Sequence, residues 1–174
     1  MLLGSPSILT STSTVLRKRF SLPQSLESTP VLLAIKDHNP NKYTSYISLA
    51  GSQEQEVLTK WLLSNRVPTA LELTQDTFQG VMNAPHHPLV VLVAVPERSK
   101  DSYGEKVLQL GRLWREDSAY RHLQEKVVFT WMDANRWNSW LKSMYGIKET
   151  ALPAVIIADH QVRTLIVGVL LLIF

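Results

Sequence analysis

"YGIKETALPAVIIAD", Tyr145 to Asp159, runs a helix end through a short loop and a proline into an apolar strand. Gly146 stands where a helix closes on a left-handed residue, its missing Cβ removing the steric penalty. Pro153 cannot continue a helix or donate to a ladder, so it introduces the strand "AVIIA" rather than sitting inside it. Upstream, Trp137, Trp140, Leu141 and Met144 recur at i, i+3, i+4 and i+7, the apolar stripe of the helix that Gly146 ends.

The same alternation extends back to Arg66. "ALEL" (Ala70 to Leu73) reads as a short strand, and Thr74 as the cap of a helix carrying Phe78, Val81 and Met82 on one face. "APHHP" ends that helix, and "LVVLVAV" (Leu89 to Val95) is a continuous apolar run, the mark of a strand covered on both faces. Ser102 and Glu105 are spaced as a capping box opening a long helix with Val107, Leu110, Gly111 and Trp114 on one side. "VVFTWM" (Val127 to Met132) is a further strand. The order β-α-β-α-β-α-β predicts an α/β unit built on a largely parallel sheet, the pattern leaving the direction of the last strand open.

A weak internal repeat links Arg19–His38 to Met144–His160. In both, an aromatic residue and an aliphatic one two places later lead to a loop, a proline, an apolar strand and Asp-His, so Pro30 stands where Pro153 stands. After Pro30 come its strand, an edge strand around Tyr43 to Ser48, and a helix from Ser52 to Asn65. That helix has a Ser52–Gln55 capping box and an apolar stripe of Val57, Leu58, Trp61 and Leu62. Residues 1–65 therefore read as the later half of a first unit and 66–161 as a second, nearly complete one. The second unit is expected to lack its closing strand and helix, because "VRTLIVGVLLLIF" shows no polar turn and no amphipathic helix. Residues 162–174 are left as an atypical apolar tail, and the chain as a fragment.

Four segments of the second unit together resemble a thioredoxin fold, and the tandem arrangement looks like that of protein disulfide isomerases. "LELTQDTFQGVM" resembles the opening strand and helix, "HPLVVLVAV" the central strand, "VVFTWMDANRW" the third strand, and "YGI…LPAVII" the helix end and cis-proline strand. The resemblance implies that Pro153 is cis and that its loop offers backbone groups to a bound polypeptide. The substrate-binding residues it points to are Pro153, Leu152 and Trp131, although the strand alternation leaves the face of Trp131 open. Trp114, Trp137 and Trp140 lie on apolar helix faces and read as core.

The departure from the family decides the chemistry expected. Catalytic members carry Cys-x-x-Cys after the central strand; here that place reads "PERSKDSYGEK", and none of the 174 residues is cysteine. Thiol–disulfide exchange needs a thiolate, so no such catalysis is expected of this chain, nor any disulfide framework or thiolate metal site. No catalytic residue, cofactor or metal ligand is assigned; adjacent His86 and His87 read as loop. Asp101 and Asp133 read as residues that cap or precede helices. A net charge of +3 is scattered apart from Arg17-Lys18-Arg19, which reads as a solvated helix end, and no nucleic acid is expected.

The expected function is a redox-inactive, chaperone-type module of the protein disulfide isomerase family. It would bind or position unfolded or partly folded polypeptide for catalytic domains elsewhere, beside sister thioredoxin-like domains. The alternative is a structural spacer, or a membrane-tethered adaptor binding a folded partner. The apolar tail from Leu165 to Phe174 is ten residues long, and a span needs about 20, so a membrane enters only if the tail is extended. The resemblance implies the endoplasmic reticulum, lumen or membrane; "MLLGSPSILTSTSTV" is a poor signal peptide and no retention signal closes the chain.

Overall fold

The structure is a computed structural model, and it describes residues 14–26, 29–37, 45–50, 55–84, 88–117, 119, 122–159 and 164–168. The chain divides between Pro68 and Thr69 into two compact units.

The unit before this boundary holds α1 (Thr14–Arg19), β1 (Val31–Ala34), β2 (Ser45–Ser48) and α2 (Gln55–Asn65). Pro30 stands one residue before β1, and β1 and β2 form an antiparallel pair running from Val31↔Ser48 to Ala34↔Ser45. Trp61 on α2 donates its indole N–H to Ser45 Oγ at 2.7 Å, fixing the helix to β2. The predicted stripe of α2 is narrower than expected: Leu58 and Trp61 are half-buried, while Val57 and Leu62 are exposed. Ser52 lies outside the described residues. The basic cluster is partly structural, because the Arg17 guanidinium donates to the carbonyls of Leu26 (2.5 Å) and Thr29 (2.7 Å).

From Thr69 on, the order is β3 (Ala70–Glu72), α3 (Gln75–Met82), β4 (Leu89–Val95), α4 (Lys100–Glu116), β5 (Val127–Asp133), α5 (Asn138–Tyr145), β6 (Ala154–Asp159) and β7 (Thr164–Gly168). These strands form one five-stranded sheet in the order β3-β5-β4-β6-β7. The parallel part of the sheet is as expected, and the direction left open for the last predicted strand resolves as antiparallel. β3, β5 and β4 are parallel, but β6 runs antiparallel to β4 and β7 antiparallel to β6, so the sheet is mixed. The loop through Pro153 returns the chain to the sheet end it has just left, which forces the reversal.

The expected absence of a closing strand is corrected too, because Thr164–Gly168 pairs along β6 from Asp159↔Thr164 to Val155↔Gly168. An apolar segment beside an open strand edge satisfies its backbone groups there without needing a polar turn signature. Position 162 and the residues after 168 lie outside the described set. Among the described residues no helix is long and apolar enough to cross a membrane.

The core follows from pleat and period. Val90, Leu92, Val93, Ala94 and Val95 of β4 are each at most 1% exposed, as a strand covered on both faces requires. On one face Val93, Val95, Phe129 and Val127 pack with Val107 of α4, and with Trp114 at their margin. On the other, Leu92, Met132 and Ile156 are equally dry, and α3 and α5 are the helices left to cover them. Those two helices meet through rings: Phe78 stacks on Trp137 at 5.2 Å, and Trp140 stands edge-on to both. Trp114, Trp137 and Trp140 are therefore packing residues, whereas Met144, placed on the same stripe, is 55% exposed.

Local signals work at three of four helix ends. Thr74 and Thr77 form the reciprocal cap of α3, and Gly146, at φ 66°, closes α5 with its N–H bonded to Lys142 O. Asp133 precedes α5 as expected. The Ser102–Glu105 box does not form. A 3-10 turn over Glu97–Ser99 feeds straight into α4 at Lys100, so the cap position is Ser99, three residues earlier, and both side chains belong to the helix body.

Gly111 marks where α4 approaches the sheet most closely. A Cβ there would lie 2.9 Å from Thr69 Cγ2 and 3.0 Å from the Thr69 carbonyl oxygen. Overpacking of this kind costs about 1–3 kcal/mol, offset in part by the roughly 1 kcal/mol that alanine gains over glycine in a helix. Gly111→Ala is therefore expected to lower unfolding free energy by about 1 kcal/mol, the midpoint of a net range of roughly 0–2, read by urea denaturation with tryptophan fluorescence. An unchanged midpoint would mean that α4 stands further from Thr69.

Candidate functional site

The carboxyl ends of the parallel strands β3, β5 and β4 converge at one edge of the sheet, joined there by the amino end of β6. The β4–β6 pairing ends at Ala94↔Ala154, so Pro153 comes level with Val95, the residue before Pro96. The Leu152–Pro153 peptide bond is cis. Leu152 and Pro153 are both half-buried, at the end of a 3-10 turn in which Leu152 N–H bonds Glu149 O at 3.3 Å.

Opposite this loop, the segment Pro96–Lys100 leads into α4. Ser99 turns back on Pro96, donating both its N–H (3.0 Å) and its hydroxyl (3.1 Å) to the Pro96 carbonyl. Glu97 N–H donates to Asn135 Oδ1 at 3.1 Å, and Ala134 N–H to Val95 O at 2.8 Å, so the β4–α4 and β5–α5 turns are stitched together. Lys100 Nζ reaches Glu72 Oε1 on β3 at 3.2 Å. A lysine in the first turn of a helix opposes the macrodipole, and the Glu72 carboxylate offsets that; with both side chains about 30% exposed, the pair is weakly stabilising.

Asp133 ends β5 and is 4% exposed. Its Oδ1 accepts from the backbone N–H groups of Asn135 (2.9 Å) and Arg136 (3.4 Å), and Arg136 Nε stands 3.7 Å from its Oδ2. That is the geometry of a carboxylate satisfying the turn before α5. A cleft of about 510 Å³ lies alongside, lined by Glu72, Thr74, Asp76, Asp133, Arg136 and Trp137 among others. Tyr145 closes the ring cluster edge-on to Trp140, and burial raises its phenol above the usual tyrosine value, keeping it neutral at physiological pH.

The structure brings two of the three sequence-derived binding residues together. Leu152 and Pro153 share one loop; Trp131 lies on the sheet face that α4 covers. Its register partner is Val93, which itself pairs with Val155, two residues beyond Pro153. The indole packs under the helix: a Cβ on Gly104 would stand 3.0 Å from Trp131 Cε2. Trp131 thus supports the α4 face from within. The tie between Glu72 and Lys100 and the bridge through Asn135 had no sequence signal, because their partners are far apart in the chain and carry common residue types. Among the described residues, no group of three or more His, Asp or Glu side chains could hold a metal ion.

A family model described as a thioredoxin-like domain matches residues 18–166, more than half of the chain. No curated protein matches it in sequence. Among solved structures, the bb fragment of ERp72 is similar with a TM-score of 0.51 and 14% identity, over 89% of this chain and 64% of that one. The zinc-bound form of human ERp44 gives 0.45 and 14%, over 71% of this chain and 32% of the other. The long form of thioredoxin f from spinach chloroplast gives 0.41 and 18%, over 70% and 88%. The chain thus spans about a third of the ERp44 structure. At 14% identity the ERp72 likeness speaks for the fold alone.

The Asp133 turn can be tested directly. Asp133→Ala leaves two backbone donors without their acceptor and should cost about 1–2 kcal/mol. Asp133→Asn keeps an acceptor oxygen in place and should cost less than half of that, both read as shifts of the urea midpoint. Equal losses would assign the stabilisation to the charge rather than to the turn.

Proposed function

This chain belongs to the thioredoxin-like domain family, and on that premise we propose that it is a redox-inactive polypeptide-binding module of the protein disulfide isomerase kind. The observation carrying the reading is the sheet end just described. The Leu152–Pro153 loop lies level with the start of α4, and the segment leading into that helix is Pro-Glu-Arg-Ser-Lys in a chain with no cysteine. A thiolate is the obligatory nucleophile of disulfide exchange, so what the arrangement retains is a loop with half-buried apolar side chains beside the ends of three strands. Such a loop offers backbone groups and apolar contact to an extended segment. Unfolded or partly folded polypeptides are the ligands this favours. The endoplasmic reticulum is the compartment that fits, and sister thioredoxin-like domains are the fitting neighbours.

The alternative of a structural spacer or membrane-tethered adaptor is drawn from the apolar tail Leu165–Phe174, whose first residues pair with β6 as part of β7 (Thr164–Gly168).

The test is an NMR titration of the full chain with reduced, carboxymethylated α-lactalbumin, a permanently unfolded polypeptide. Shifts should concentrate at Leu152, Ala154 and Glu97–Lys100, and Leu152→Asp should weaken binding about tenfold, or about 1.4 kcal/mol. Insulin disulfides should be reduced by dithiothreitol at the same rate with and without the chain. Absence of any shift at saturating polypeptide would refute the binding role, and faster insulin reduction would refute the redox-inactive one.

A further inference from the structure

The cluster Arg17-Lys18-Arg19 is a motif that neither the sheet nor the candidate site uses. It runs through Phe20 into Ser21 and Leu22, and no acidic residue occurs in the first 26 positions of the chain. Ser21 is the one serine or threonine with basic residues two, three and four places before it.

Ser21 also closes α1 in a conformation that suits another residue. Leu22 N–H donates to Arg17 O and Ser21 N–H to Lys18 O, both at 3.1 Å. This crossed pair needs a left-handed residue at the turn, as a rule glycine. Here Ser21 holds the position at φ 49°, where a Cβ is strained. No contact offsets that strain. The side chain is exposed, and among the described residues its hydroxyl makes no hydrogen bond. A strained residue without a packing or capping role points to function.

We propose that Ser21 is the phosphoacceptor of a serine kinase that reads basic residues ahead of its target. Lys18 and Arg19 are exposed and available to carboxylates of the kinase, the charge pattern by which such enzymes choose substrates. Ser21 Oγ attacks the γ-phosphorus of ATP and the bond from that phosphorus to the β,γ-bridging oxygen breaks. ADP leaves, and the hydroxyl proton passes to a carboxylate base of the kinase. The segment reaches that active site by opening locally. A six-residue helix with no buried residue of its own is too short to hold itself together, and Phe20, just past its end, is the ring that must lift.

The product acts on its own unit. The phosphate brings a charge of about −1.5 to −2 to the carboxyl end of α1, four residues from Arg17. The Arg17 guanidinium is held by the neutral carbonyls of Leu26 and Thr29, and a phosphate is a stronger, charged acceptor for it. Phosphorylation therefore draws Arg17 away and loosens the segment that leads to Pro30 and β1.

The inference stands independently of the polypeptide-binding role and of the compartment. The full chain is incubated with the catalytic subunit of cAMP-dependent protein kinase and magnesium ATP, and the product is mapped by mass spectrometry. A single phosphate is expected, on Ser21. Arg19→Gln should slow its incorporation about tenfold, the loss of one charge-assisted contact. Ser21→Gly suits the left-handed turn, so it should abolish incorporation without lowering the urea midpoint. In the phosphorylated chain the Thr29 amide, bonded to Leu26 O at 3.0 Å in the unmodified one, should exchange faster, by about tenfold or more. Absence of phosphate on Ser21, or equal rates for the unaltered chain and Arg19→Gln, overturns the site. So does a lowered midpoint for Ser21→Gly, which would give the serine a structural role. Unchanged Thr29 exchange overturns the loosening. Should Arg19→Gln fail to fold, mapping on the unaltered chain decides.

Discussion

The pairing of β4 with β5 on one side and β6 on the other is the constraint on which the second unit depends. Seven consecutive residue pairs join β4 to β5 and six join it to β6. Because side chains alternate, a slip of one residue in either ladder would turn every buried valine of β4 to the opposite face. Both faces are covered, so the slip would not expose charge, but it would break the interdigitation of Val93, Phe129 and Val107. The same registers bring Pro153 level with Val95, and Val95 beside Asp133. The candidate site is thus a consequence of core packing, and its backbone positions are set before any of its side chains is chosen.

Polar residues at this end are spent mostly on holding turns. Asp133 satisfies the turn before α5, Asn135 holds the start of the segment leading to α4, and Lys100 reaches back to β3. Each makes a separate connection, and together they fix three strand ends relative to one another. Such an edge presents backbone and half-buried apolar groups, which is what the proposed recognition of extended polypeptide calls for.

Much of this was legible in the sequence, for physical reasons that differ by element. β4 was readable because seven consecutive apolar residues bounded by prolines have few other uses, and α3 and α5 because Thr74 and Gly146 solve local backbone problems. The likeness of Pro30 to Pro153 survives as two antiparallel hairpins, each beginning one residue after its proline. Other features were hidden because they are settled by tertiary partners. The Ser102–Glu105 spacing suits a cap, yet the turn at Pro96 starts the helix sooner. The direction of β6 follows from which sheet end its loop reaches. The role of Trp131 depends on Gly104, twenty-seven residues away in the chain and beneath the same helix.

The two hairpins also separate what a repeated motif provides from what a core requires. Both have the proline, the inner strand and the antiparallel return, so that much of the architecture is encoded locally. Yet β6 carries Ala154, Ile156 and Ala158 buried, whereas no residue of β1 is. The difference lies in the neighbour. β6 is laid against an apolar strand covered on both faces, and that contact, rather than any feature of the hairpin, converts a half-buried ribbon into the middle of a sheet. An isolated two-stranded ribbon is marginal in water, and a ribbon with one helix gains only a single covered face. The sequence of β1 is no less apolar than that of β6, so its partial burial goes with having β2 as its one strand partner among the described residues, rather than with weaker side chains. Its composition is already that of an inner strand.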